Sequence, residues 1–124
     1  MIKLTEEDVL SLYQMLTDKT GGKVGIRDKA MMLSALEAPY QTFSGKELFP
    51  SLIEKAARLG YGLVANHPFI DGNKRIGIFV MLVFMKMNDI NIKFTNQEII
   101  DLALNIAGGK YKYEDVLEKI NAKK

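Results

Sequence analysis

The stretch His67-Pro68-Phe69-Ile70-Asp71-Gly72-Asn73-Lys74-Arg75, with the apolar run from Ile76 to Met85 behind it, decides how this chain is organised. Pro68 lacks a backbone N–H and stops a helix arriving from the N-terminal side. Asp71-Gly72 is a turn dipeptide, since a bulkier residue at 72 would hinder the tight bend. Asn73, Lys74 and Arg75 then fall in the first turn of a helix predicted over Asn73–Met87. The apolar residues of that helix surround its axis and do not form one stripe, which marks a helix buried on most sides. The run is far shorter than the roughly 20 apolar residues a membrane span needs. It is therefore read as the central helix of a soluble protein.

Before the loop, Ser51 and Glu54 have the spacing of a capping box and open a helix that should run to about Ala65 or Asn66. Gly60 and Gly62 lie inside it. Each costs about 1 kcal/mol of helix propensity against alanine, and such glycines suit a helix that another helix approaches closely. Residues Tyr40 to Phe49 contain Ser44-Gly45 and read as a loop or short hairpin. Asp28 is a candidate N-cap for a segment with Ala30, Met31, Leu33, Ala35 and Leu36, ended by Pro39. Thr5-Glu6-Glu7-Asp8 starts a further helix, with Val9, Leu12, Tyr13 and Leu16 at helical spacing and Gly21-Gly22 as its stop. Beyond the central helix, Thr95 and Glu98 repeat the capping-box spacing, Gly108-Gly109 closes that element, and Tyr113–Lys119 forms a last short helix. No repeat or low-complexity tract interrupts this order. The expectation is one compact all-α domain over residues 1–124, a helical bundle with one short β-like excursion.

Bulk properties narrow the function. The 124 residues are 48% hydrophobic, enough for one sizeable core. Seventeen Lys+Arg against fifteen Asp+Glu leave a net charge of +2, which argues against a general nucleic-acid binder with a dense basic face. Lys119, Lys123 and Lys124 are the main hint of such binding and read as a solvated tail. There is no cysteine, so neither a disulfide scaffold nor a cysteine zinc site is possible. Met1-Ile2-Lys3-Leu4-Thr5 lacks the apolar core of a signal peptide. A cytoplasmic location with no membrane partner is expected.

The loop gathers reactive groups. The first N–H groups of a helix have no intrahelical acceptor and sit at the positive end of its dipole, so they attract anions. Lys74 and Arg75 add two cations there, Arg75 with a two-pronged donor set and Lys74 as a point charge. Asp71 supplies a hard oxygen of the kind Mg²⁺ takes when it also bridges phosphates. His67 is the only histidine, and imidazole can take a proton from a hydroxyl near neutral pH. Each group alone has a bland explanation: a structural histidine, an ordinary turn, a solvated basic face. The combination does not. Cations in a first turn oppose the helix dipole and cost stability unless an anion meets them. A local conflict of that kind marks a functional site, and phosphoryl or nucleotidyl transfer depends on such positioning and charge neutralisation.

The same nine positions match the signature His-Pro-Phe-x-Asp-Gly-Asn-Lys-Arg, and the chain resembles the Fic/Doc superfamily in its Doc-type, death-on-curing form. Gly25-Ile26-Arg27-Asp28, Ser34-Ala35-Leu36-Glu37-Ala38-Pro39 and Phe49-Pro50-Ser51-Leu52 extend the resemblance over most of the chain, from about Thr5 to Leu117. The resemblance implies His67 as catalytic base, Phe69 as loop anchor and Asp71 as Mg²⁺ ligand. It implies Gly72, Asn73, Lys74 and Arg75 as nucleotide- and phosphate-binding positions, with Lys74 and Arg75 also catalytic. Lys74 stands where adenylyl-transferring Fic enzymes usually carry glycine. That departure favours an inverted ATP and transfer of its γ-phosphate to a Ser/Thr hydroxyl over AMPylation. The resemblance makes Tyr40–Phe49 the flap that holds a target peptide as an added strand. It also implies a toxin of a toxin–antitoxin module whose target is a translation factor, elongation factor Tu. No Glu is followed by Gly or Asn, so the self-inhibitory helix of some Fic proteins is absent and a separate cognate antitoxin is implied. A catalytically silent nucleotide- or partner-binding module is the other class weighed. Intact His67 and Asp71 speak against it.

Overall fold

The computed structural model describes residues 1–124. Six helices are joined in chain order: α1 (Glu6–Thr20), α2 (Lys29–Glu37), α3 (Leu52–Asn66), α4 (Asn73–Met87), α5 (Asn96–Ala107) and α6 (Tyr113–Asn121). A 3-10 turn, Ala38–Tyr40, leads from α2 into a two-stranded antiparallel hairpin, β1 (Thr42–Phe43) and β2 (Lys46–Glu47). The fold is all-α with one small excursion. No helix is long and apolar enough to cross a membrane.

Three helix starts are fixed by reciprocal side-chain and backbone hydrogen bonds. The Asp8, Glu54 and Glu98 N–H groups donate to Thr5, Ser51 and Thr95 hydroxyls at 3.1, 3.0 and 3.1 Å, and each acid accepts in return from the capping residue's N–H. The Met31 N–H donates to the Asp28 carboxylate at 3.1 Å and starts α2. Each box satisfies donors that a bare helix start leaves open.

The core is one cluster centred on α3 and α4, which form the broadest helix contact. Glycine makes that contact possible. A Cβ on Gly60 would lie 2.8 Å from the Met81 sulfur, and one on Gly77 would lie 2.5 Å from Val64 Cγ2. The cost in helix propensity is offset by dispersion contacts along two closely approaching backbones. Gly62 does the same against Ala35 of α2.

The structure corrects the inward face of α2. Met31 and Leu33 are exposed, and the buried residues are Met32, Ala35 and Leu36. The segment Lys29–Glu37 is apolar nearly all round, so spacing could not select a face. The contact with α3 selects it.

The hairpin turn places Ser44 and Gly45 at φ 51° and 77°. Positive φ at both central residues matches the right-handed twist of paired strands. Both strands are exposed on all residues. One device that the sequence did not reveal holds the hairpin down. Lys55, on the first turns of α3, is buried, and its ammonium donates to Glu47 Oε1 at 2.8 Å and to the Phe49 carbonyl.

Candidate active site

α3 ends at Asn66, and His67 follows in the left-handed conformation, φ 51°, ψ 53°. A non-glycine residue holds that conformation only where its surroundings enforce it. Arg27 is the enforcing group. Its Nε donates to the His67 carbonyl at 2.7 Å and its Nη2 to the Asn66 carbonyl at 3.1 Å. The guanidinium thus satisfies the last carbonyls of α3 and places a cation at the negative end of its dipole. The Arg27 and Asp28 N–H groups both donate to the Pro68 carbonyl, and the Ile70 N–H donates to the Gly25 carbonyl at 2.9 Å. Ile26 and Phe69 pair as an isolated bridge. Residues 25–28 therefore form a backbone splint along 68–70.

Beneath the splint, Phe69 is fully buried and stacks on Tyr13, ring centroids 3.9 Å apart. The Tyr13 hydroxyl donates to the Asp71 carbonyl at 3.0 Å. Asn73 is buried as well. Its Oδ1 accepts from the Phe69 N–H at 2.8 Å and its Nδ2 donates to the Phe69 carbonyl at 2.9 Å. Both ends of the Asn73 amide are committed to closing the loop, so the group it can offer an anion is its backbone N–H. Gly72, at φ 83°, makes the turn into α4.

The start of α4 differs from those of α1, α2, α3 and α5 in that no side chain caps it, and, unlike α1, α3 and α5, it has no acid in its first turn. Lys74 and Arg75 stand there exposed, with no ion pair to either. The N–H groups of Asn73, Lys74 and Arg75 precede the first intrahelical acceptor and stay open. Positive dipole, open donors and two cations converge with nothing of opposite sign except Asp71.

His67, Asp71, Gly72, Asn73, Lys74 and Arg75 all line one cleft of about 490 Å³, together with Val64, Ile70 and Ala107. Phe69 does not line it and lies underneath. Asp71 Oδ1 accepts from the Gly72 N–H at 2.8 Å, and Oδ2 receives no hydrogen bond. No group of three acidic, histidine or cysteine side chains is close enough to hold a metal ion. A lone free carboxylate oxygen fits a magnesium ion that arrives with phosphates, and does not fit one caged by protein alone.

Sequence reasoning missed Tyr13 and Arg27 as parts of the site. Their roles come from contacts across the fold, and the signal available for Arg27 was its place in the Gly25–Asp28 motif.

Fold and cleft together define a class: a small helical protein whose sole histidine faces an uncapped, cationic helix start across one cleft. Residues 3–85 match the model of the Fic/DOC family, and the chain belongs to that family, in its Doc-type branch. It is 33% identical over 89 residues to "Toxin Doc" of Mycolicibacterium smegmatis, a match covering 72% of this chain and 66% of that protein. It is 24% identical over 120 residues to "Protein kinase doc" of Escherichia phage P1, covering 97% of this chain and 94% of the phage protein.

Proposed function

We propose that this protein is a Doc-like toxin that transfers the γ-phosphate of ATP to a Ser or Thr hydroxyl of a target protein in the cytoplasm. The observation that carries this is the start of α4: open N–H groups, Lys74 and Arg75 in no ion pair, in the same cleft as His67. The names of the two relatives, a toxin and a protein kinase, support it.

In this reading Arg75 grips phosphate oxygens bidentately, Lys74 adds a point charge, and the first-turn N–H groups complete the cradle. Asp71 would hold Mg²⁺ together with the phosphates, and the ion supplies further charge neutralisation when bound. His67 accepts the acceptor's hydroxyl proton as the oxygen bonds to the γ-phosphorus. The bond from that phosphorus to the β,γ-bridging oxygen breaks, and ADP leaves. Likeness to Doc proteins makes elongation factor Tu the proposed target, with arrest of translation as the outcome. A cognate antitoxin is the proposed partner, docking an amphipathic segment on this fold.

The test is incubation with elongation factor Tu and ATP labelled at either the α or the γ position. Label on the acceptor from the γ position alone is expected. Label from the α position would replace phosphorylation with adenylylation. His67→Ala should lower the rate by about 10²-fold or more, and an unchanged rate removes His67 from the chemistry.

A further inference from the structure

Two clefts meet at His67. The one described above runs toward the start of α4. A second, of about 420 Å³, shares Val64, His67 and Ala107 with it and runs the other way, between Tyr61 and Ala65 of α3 and the Gly109–Lys112 turn that follows α5. That turn is pinned to α5, since the Lys110 and Tyr111 N–H groups both donate to the Asn105 carbonyl at 2.9 Å. The two walls differ in chemistry. The first is lined by backbone donors, two cations and a carboxylate. The second presents two half-buried tyrosine rings, small aliphatic groups and one cation, Lys112.

The order of groups along a nucleoside triphosphate makes this division informative. With the base in the tyrosine cleft, the α-phosphate would lie beside His67 and the γ-phosphate farther toward α4. Attack beside His67 would then transfer AMP. With the γ-phosphate beside His67, the remainder of the nucleotide extends along the α4 side and the tyrosine cleft stays free of it. In-line displacement also requires the attacking oxygen and the leaving oxygen on opposite sides of the phosphorus. ADP therefore departs through one cleft and the acceptor enters through the other. The base must touch the acceptor's O–H, and His67 stands at the junction.

Resting on the γ-transfer reading above, we propose that the Tyr61–Tyr111 cleft is the acceptor site. It takes the hydroxyl-bearing residue of the target protein together with an apolar neighbour that packs on the two rings. Aromatic walls suit such a segment, because they give large contact area at low entropic cost.

Ala65 is exposed on α3 and lines this cleft, so Ala65→Trp fills it without touching the core. Calorimetric titration with ATP is paired with kinetics at varied elongation factor Tu, for the wild type, Ala65→Trp, Tyr111→Ala and Tyr111→Phe, with Lys74→Ala as the control for weakened ATP binding. Ala65→Trp and Tyr111→Ala should leave the ATP Kd within about twofold and raise the acceptor KM about tenfold or more, and Tyr111→Phe should restore it. A tenfold weaker ATP Kd in Ala65→Trp, or an unchanged acceptor KM, overturns the assignment. The two failures are distinguishable. Label from the α position in the wild type removes the γ-transfer reading and this site with it. Label from the γ position in the wild type, with ATP affinity lost in Ala65→Trp, removes the acceptor site alone.

Discussion

The loop of the candidate active site and the hairpin are both short excursions from helices, yet they are held in opposite ways. Residues 67–73 are fixed from below by the Phe69–Tyr13 stack, from inside by the Asn73 amide, and from the side by the splint at 25–28. The hairpin has its own turn, exposed strands and one buried ammonium at its base. Buried apolar contacts and protected hydrogen bonds set the local free energy of opening. The loop should therefore open only with the whole fold, and the hairpin far more easily. The phosphoryl transfer proposed for the loop needs fixed geometry, whereas the flap role that the resemblance implies for the hairpin lets it yield.

Paired phenylalanines test this most sharply. Phe69 is 0% exposed and Phe43 74% exposed. Phe69→Ala should destabilise the protein by about 3–5 kcal/mol. Phe43→Ala should change stability by no more than about 0.5 kcal/mol. Chemical denaturation reads both, and similar losses would erase the distinction. The flap role that the resemblance implies for Tyr40–Phe49 predicts that Phe43→Ala still raises the KM for the target protein.

Asn73→Ala removes both hydrogen bonds to the Phe69 backbone and leaves buried groups unpaired, for a loss of about 1–3 kcal/mol. Lys55→Met is the matching change at the hairpin base, where it frees Glu47 and the Phe49 carbonyl. Because Glu47 is half exposed, water takes over much of that loss, and about 1 kcal/mol is expected. Amide exchange separates the two. Lys55→Met should speed exchange at residues 42–49 only, and Asn73→Ala should speed it throughout. Uniform acceleration by Lys55→Met would show that the hairpin is part of the cooperative core.

What the sequence revealed follows the same division. The capping boxes at Thr5, Ser51 and Thr95 were legible because each is a local exchange of bonds across three residues. The conflict at Lys74 and Arg75 was legible because dipole and charge are both properties of one turn. Arg27 meets His67 from 40 positions away, and Tyr13 meets Asp71 from 58. Nothing in local spacing reports such partners. The place of Asn73 in the motif points to phosphate, and only the folded loop shows its amide turned inward to Phe69. The buried face of α2 was illegible because a nearly uniform apolar segment has no preferred side.

The effect with the narrowest window lies at the hairpin base and appears only in alkali. Tyr113 meets Phe49 edge-on, ring centroids 5.0 Å apart. Burial of its phenol, reinforced by Glu54 and Glu114 and opposed by Arg58, pushes its pKa from the ordinary 10.0 up to about 12. The folded state thus favours the neutral phenol. Its contribution is fully present below pH 10 and is lost as the pH rises from 10 toward 12. Tyr113→Phe cannot ionise and should lose less stability over that window than the wild type. Tyr40, also raised by burial and by Glu37, titrates in both proteins and cancels from the difference. Denaturation midpoints measured from pH 9 upward should therefore shift in favour of Tyr113→Phe only above pH 10. Parallel curves would mean that water reaches the phenol, and that the hairpin base is as open as the strands above it.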